Sequence, residues 1–129
     1  MPKILLVEDN KLNQLVGVKT LTKLGYAVDV VDDGTKAVEA CTSGDFDAIL
    51  MDIQMPGLDG YEATAKIREH EATNGSGHVP IIGLSARAMD GDHEAAIAAG
   101  LDEYLTKPLR TEELRAVLRR SIPESPVDS

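Results

Sequence analysis

The chain has 129 residues, 43% of them hydrophobic and 3% aromatic, with no Trp and a formal net charge of −9. That length bounds one domain with an aliphatic core, and an acidic surface with no basic stripe excludes direct binding to nucleic acid or to an anionic membrane. The single cysteine, Cys41, excludes an internal disulfide, and no apolar run approaches the roughly 18–20 residues of a membrane span, so a soluble cytoplasmic chain is expected.

Ile4–Val7 is an apolar run too short for a helix and reads as the first strand. Asn10 caps a first helix with apolar residues at Leu12, Leu15, Val16, Leu21 and Leu24, and Gly25 ends it. Ala27–Val31 is a second strand. Asp33-Gly34 turns the chain into a short helix with Ala37, Val38 and Cys41 on one face, closed by Gly44-Asp45. Ala48–Met51 is the most completely apolar strand and runs directly into Asp52. Leu58, Tyr61, Ala65 and Ile67 mark a third helix ending near His70, and a flexible loop spans Ala72–His78. Pro80–Leu84 is a fourth strand. Asp90 opens an alanine-rich helix that stops at Gly100, and Glu103–Thr106 is a fifth strand. Thr111 caps a last helix whose acidic first turn and basic last turn both suit the helix dipole. Ser121–Ser129 holds two prolines and reads as a flexible tail or linker stub.

Strict strand–helix alternation implies an α/β, doubly wound parallel sheet of five strands with helices on both faces. Strands 1, 3 and 4 are apolar on both sides and belong in the centre, while 2 and 5 are the edges. The expected order is 2-1-3-4-5, the flavodoxin-like arrangement.

In such a sheet ligands bind beyond the carboxyl ends of the strands, near the point where strand order reverses. Strand 1 ends in Glu8-Asp9, strand 3 in Asp52, strand 4 in Ser85 and strand 5 in Lys107, followed by Pro108. Taken singly, each is an ordinary solvated helix start, turn former or surface residue. Together they bring three acids, a hydroxyl and an ammonium to one rim. Converging carboxylates repel, and a hard cation with oxygen ligands resolves this, which suits Mg²⁺ with water and the backbone carbonyl of Gln54 filling further positions. Ser85 and Lys107 can then bind a phosphoryl group. A carboxylate oxygen as nucleophile gives an acyl phosphate.

The stretches ILLVEDN, AILMDIQMPGLDGYEAT, PIIGLSA and DEYLTKPL, in this order and spacing, resemble the receiver domain of the two-component response-regulator family over about Lys3–Arg120. VEDNKLNQ and MDIQMPGLDG are most similar to receivers of hybrid sensor histidine kinases. The resemblance implies a receiver domain over 1–120, with Asp52 as phosphoacceptor and with Asp9 directly, and Glu8 partly through water, at the Mg²⁺. It implies phosphoryl contacts from Ser85 and Lys107, a cis bond before Pro108, and Ser85 with Tyr104 as the switch pair. The donor it implies is a phosphohistidine on a histidine kinase or a histidine-phosphotransfer protein. Arg87 departs from the small or amide residue of the hybrid-type pattern. Gln54 and Arg87 are therefore candidate modulators of phosphoryl lifetime, with solvent exposure of Arg87 an equal alternative.

The alanine-rich helix buries little apolar area, so it, the fifth strand and the last helix form the face expected to switch. His70, His78 and His93 read as surface residues without ligand spacing. The chain is expected to assist its own phosphorylation and dephosphorylation rather than act as an enzyme, to be monomeric, and to be excised from a larger protein whose full length may include a histidine kinase. Two alternatives stay open: a Mg²⁺-dependent aspartate-nucleophile phosphatase, disfavoured by Gln54 in place of a general acid, and a degenerate receiver that only binds proteins.

Overall fold

The structure is a computed structural model that describes residues 2–43, 46–53, 60–75, 77–85, 97–106 and 110–122. Its elements follow in the order β1 (Lys3–Val7), α1 (Lys11–Lys23), β2 (Ala27–Val31), α2 (Gly34–Ser43), β3 (Ala48–Asp52), α3 (Gly60–Asn74), β4 (Ile81–Ser85), β5 (Glu103–Thr106) and α4 (Thr111–Ser121). The five strands form one parallel sheet in the order β2-β1-β3-β4-β5, the expected doubly wound arrangement. β3 and β4 are buried at every position and β1 at all but its first, whereas the β2 edge has no fully buried position and exposes Asp29 and Val30.

Strand alternation splits the core in two. Ile4, Leu6, Leu50, Ile82 and Leu84 point to one face, where Leu21 of α1 and Leu114, Val117 and Leu118 of α4 cover them. Leu5, Val7, Ile49, Met51 and Ile81 point to the other, against Ala37 of α2 and Ala63 and Ile67 of α3. With so few aromatics, burial of these aliphatic side chains, each contributing about 1.5–3 kcal/mol, is the main cohesive term.

Local signals account for the ends of α1. The Asn10 side chain accepts the Asn13 N–H at 3.0 Å, as an N-cap should. Gly25, at φ 99°, takes the left-handed position beyond the C-cap Leu24.

Several expectations are corrected. On α1 the core face is Gly17 and Leu21, with Val18 and Leu24 packed beside them, while Leu12, Leu15 and Val16 are 68%, 54% and 48% exposed. α3 runs to Asn74 rather than to about His70, so residues 72–74 are helix rather than loop. Its buried face is Gly60, Ala63, Thr64 and Ile67, and Ala65 is exposed. The extension is held by tertiary bonds. Arg68 donates to the carbonyls of Gly100 and Val79 and to the carboxylates of Glu71 and Asp102, at 2.6–3.0 Å. Thr111 is the first residue of α4 rather than its cap; Arg110 takes the cap position without a side-chain bond. Ser121 is still helical and Ile122 is buried in the core. Of the alanine-rich segment only 97–99, which are helical, and the glycine that follows fall among the described residues.

Candidate functional site

The acidic rim is assembled by register. β1 and β3 are paired with Val7 opposite Met51, so the next residues, Glu8 and Asp52, leave the two central strands side by side. One carboxylate oxygen from each of Glu8, Asp9 and Asp52 lies within 4.8 Å of the others. Glu8 and Asp52 are each 2% exposed, whereas Asp9 faces solvent. Like charges this close cost several kcal/mol in a medium of intermediate dielectric, and a cation held between them would offset that cost, so the three residues could hold a metal ion. All-oxygen donors, one of them open to solvent, fit a hard divalent ion that keeps part of its water, as Mg²⁺ does.

The first turn of α1 holds the acids in place. The Glu8 N–H donates to the Val31 carbonyl at 3.1 Å, tying the loop to β2. The Asn10 N–H donates to Glu8 Oε2 at 3.2 Å, and the Gln14 side-chain amide donates to the Glu8 carbonyl at 2.6 Å. On the other side, the Ile53 N–H donates to the Leu84 carbonyl at 2.9 Å and fixes the peptide after Asp52. Gly60 then starts α3 directly behind Asp52. Its N–H donates to the Ile53 carbonyl at 3.2 Å, and its own carbonyl accepts the buried Thr64 hydroxyl at 2.7 Å. A Cβ at position 60 would lie 2.6 Å from Ile53 Cα and 2.7 Å from the Asp52 carbonyl oxygen, so glycine is needed for this approach.

Ser85 ends β4 at the same rim, 2% exposed and one residue beyond the Asp52–Leu84 pair. It pairs with Thr106, the last residue of β5. Tyr104 lies on β5 opposite Gly83, half-buried against the α2–α3 side of the core. Gln54, Arg87, Lys107 and Pro108 lie outside the described residues, as does His93. The structure therefore brings Glu8, Asp9 and Asp52 together, with Ser85 on the neighbouring strand.

Away from the rim, burial pushes the Cys41 thiol up to about 11, with the Glu71 charge adding to the effect, so the side chain is a packed apolar group and not a nucleophile. His70 is half-buried beside Asn74, and His78, which is exposed, meets the Asp102 carboxylate at 2.7 Å. Sequence reasoning missed Gln14 and Gly60. Gln14 lay one turn after the capping Asn10, and Gly60 followed a Gly-Leu-Asp stretch that reads as turn chemistry alone.

The response regulator receiver domain model matches residues 4–119. The chain is 43% identical over 125 residues to hybrid signal transduction histidine kinase I of Dictyostelium discoideum, covering 93% of this chain and 7% of that protein. It thus spans a small fraction of the length of that curated relative. Among solved structures, the receiver domain of a sensor histidine kinase from Pseudomonas aeruginosa, with a magnesium ion coordinated in its active site cleft, is 46% identical with a TM-score of 0.85, over 95% of this chain and 98% of that one. The receiver domain of a Saccharomyces cerevisiae response regulator, crystallised with a histidine phosphotransfer signaling protein, is 31% identical with a TM-score of 0.89, over 98% and 93%. An acidic cluster at the switch point of a 2-1-3-4-5 sheet and a match over nearly the whole sequence lead to one conclusion: this chain belongs to the response regulator receiver domain family of two-component signalling.

Proposed function

We propose that the chain takes a phosphoryl group from a phosphohistidine donor onto Asp52 in a Mg²⁺-dependent step. The observation that carries this reading is the convergence of the Glu8, Asp9 and Asp52 carboxylates within 4.8 Å, at the end of the two central strands. Asp9 and Asp52 would hold the ion directly, Glu8 partly through water, and the Gln54 carbonyl would complete the protein ligands. Bound Mg²⁺ would offset the mutual repulsion of the acids and stabilise negative charge on the phosphoryl oxygens. Asp52 supplies the attacking oxygen. An O–P bond forms to its carboxylate, the P–N bond to the donor imidazole breaks, and that electron pair stays on the ring nitrogen. Ser85 donates a hydrogen bond to one phosphoryl oxygen, and Lys107 binds another. Release of Ser85 toward the phosphoryl group opens space for the Tyr104 ring, and the alanine-rich segment, β5 and α4 form the face that responds. Gln54 and Arg87 would set how fast water removes the group.

The exposed residues Leu12, Leu15 and Val16 support a macromolecular donor. They lie on one side of α1, directly after the acidic loop. An apolar helix face beside a phosphoacceptor suits a helical surface of a histidine kinase or a histidine-phosphotransfer protein. Among the described residues, no helix is long and apolar enough to cross a membrane. With a phosphohistidine donor of this kind, the receiver body would act as a cytoplasmic monomer.

Incubation with Mg²⁺ and a small acyl-phosphate donor tests the proposal. A mass gain of about 80 Da, one HPO₃, that is absent without Mg²⁺ and absent in Asp52→Asn is the expected result. Continuous turnover of a small phosphoester would favour the phosphatase reading, and no uptake would favour a protein-binding module.

A further inference from the structure

We propose that Gln14 is a positioning residue for the metal site: by donating to the Glu8 carbonyl it locks the peptide that joins Glu8 to Asp9, and so sets the angle between two metal-ligating carboxylates. This rests on reading the acidic cluster as the Mg²⁺ site. The two acids are consecutive, so their relative orientation depends on one peptide plane. That plane carries the Glu8 carbonyl on one side and the Asp9 N–H on the other, and rotating it swings the exposed Asp9 away from the buried pair. Gln14 Nε2 holds the carbonyl at 2.6 Å. The preceding peptide is fixed independently by the Glu8 N–H donating to the Val31 carbonyl at 3.1 Å, and the Glu8 carboxylate by the Asn10 N–H at 3.2 Å. Gln14 is thus the bond in this set that acts on the Glu8–Asp9 peptide itself.

Gln14 is itself placed by the helix. Its N–H donates to the Asn10 carbonyl at 2.9 Å, the first turn of α1, and Asn10 caps that turn. Sequence position thus links the cap, the helix start and the acidic pair. Outer groups that orient ligands in this way commonly alter metal affinity by about 10–100-fold when removed. Gln14 touches one ligand through its backbone, so the low end of that range applies. The side chain also lines an open hollow of about 310 Å³ with Val30, Val31, Asp32 and Lys36, so a chain of equal length without a donor is accommodated.

The test compares the wild-type chain with Gln14→Met and Gln14→Ala by calorimetric titration with MgCl₂, thermal unfolding without metal, and the amide ¹⁵N–¹H resonance of Asp9. Both variants are expected to raise the Mg²⁺ dissociation constant about 10-fold, to shift or broaden the Asp9 resonance in metal-free protein, and to leave the metal-free melting temperature unchanged. Phosphorylation at saturating Mg²⁺ should return close to the wild-type rate. An unaltered dissociation constant, or a weakened one accompanied by a matching loss of metal-free stability, would overturn the assignment. If the wild-type chain itself bound no Mg²⁺, the metal reading would fail, and an unmoved Asp9 resonance would then overturn the peptide lock separately.

Discussion

Replacing Gly60 by alanine is the most informative perturbation of the site, because it adds one methyl group directly behind Asp52. The new Cβ would sit 2.6 Å from Ile53 Cα and 2.7 Å from the Asp52 carbonyl oxygen. Reaching ordinary contact near 3.4 Å requires a displacement of about 0.8 Å, and both obstacles are backbone atoms of the strand end. The movement cannot be taken up by a rotamer. Gly60 is also fastened in place by its bonds to the Ile53 carbonyl and the Thr64 hydroxyl. Overpacking of this kind costs about 1–3 kcal/mol, and the gain in helix propensity returns less than about 1 kcal/mol. We expect a net loss of about 2 kcal/mol in urea unfolding. A misplacement of about 1 Å at a reacting group can cost about 100-fold, so phosphorylation from the small donor should slow by about 10–100-fold. Gly17→Ala is the control. Its Cβ would meet Leu6 Cδ2 at 2.7 Å, in the buried core under α1 and away from the backbone of the acidic rim, so stability should fall by a comparable amount, about 1–3 kcal/mol, while phosphorylation of the folded protein should not change. Wild-type stability and rate in Gly60→Ala, or an equal loss of phosphorylation rate in Gly17→Ala, would refute the argument that α3 is seated against the strand end that aims Asp52.

Other expectations follow from the same geometry. Arg68→Ala should lower unfolding free energy by about 2–4 kcal/mol, because Arg68 serves the Gly100 and Val79 carbonyls and the Glu71 and Asp102 carboxylates; Arg68→Lys should recover little of it, since an ammonium lacks the planar fork. Leu15→Ser should leave phosphorylation by a small acyl phosphate unchanged and slow transfer from a phosphohistidine protein several-fold, as measured with both donors under the same conditions. Cys41 should resist thiol reagents at neutral pH until the chain is unfolded. Because burial raises its folded pKa from 9.0 to about 11, unfolding releases a proton between those values; its contribution to stability therefore falls as pH rises through that window, and Cys41→Ala should flatten the decline in urea unfolding measured there.

The fold was legible where the physics is local. β1, β3 and β4 are apolar runs too short for helices, and strict alternation with helical segments leaves few topologies. The acids were legible for the same reason, since Asp52 ends the most apolar strand and topology alone carries Glu8-Asp9 beside it. What escaped was set by tertiary contact. Periodicity does not say which apolar stripe of α1 faces the sheet, and the stripe that does includes Gly17, which a hydrophobic pattern ignores. α3 continues to Asn74 through polar residues because Arg68 and Glu71 bind groups near β4 and β5, a signal absent from the sequence window. Gln14 and Gly60 were invisible as site residues because each acts on a backbone atom rather than through a recognisable chemical group.

The central claim is that Asp52 carries the phosphoryl group. Borohydride reduces an acyl phosphate to the alcohol, so treating the phosphorylated chain and mapping its peptides by mass spectrometry locates the modified carboxylate. Homoserine at position 52 with intact Glu8 and Asp9 is the expected result; homoserine at any other position, or none after confirmed phosphoryl uptake, would contradict that claim.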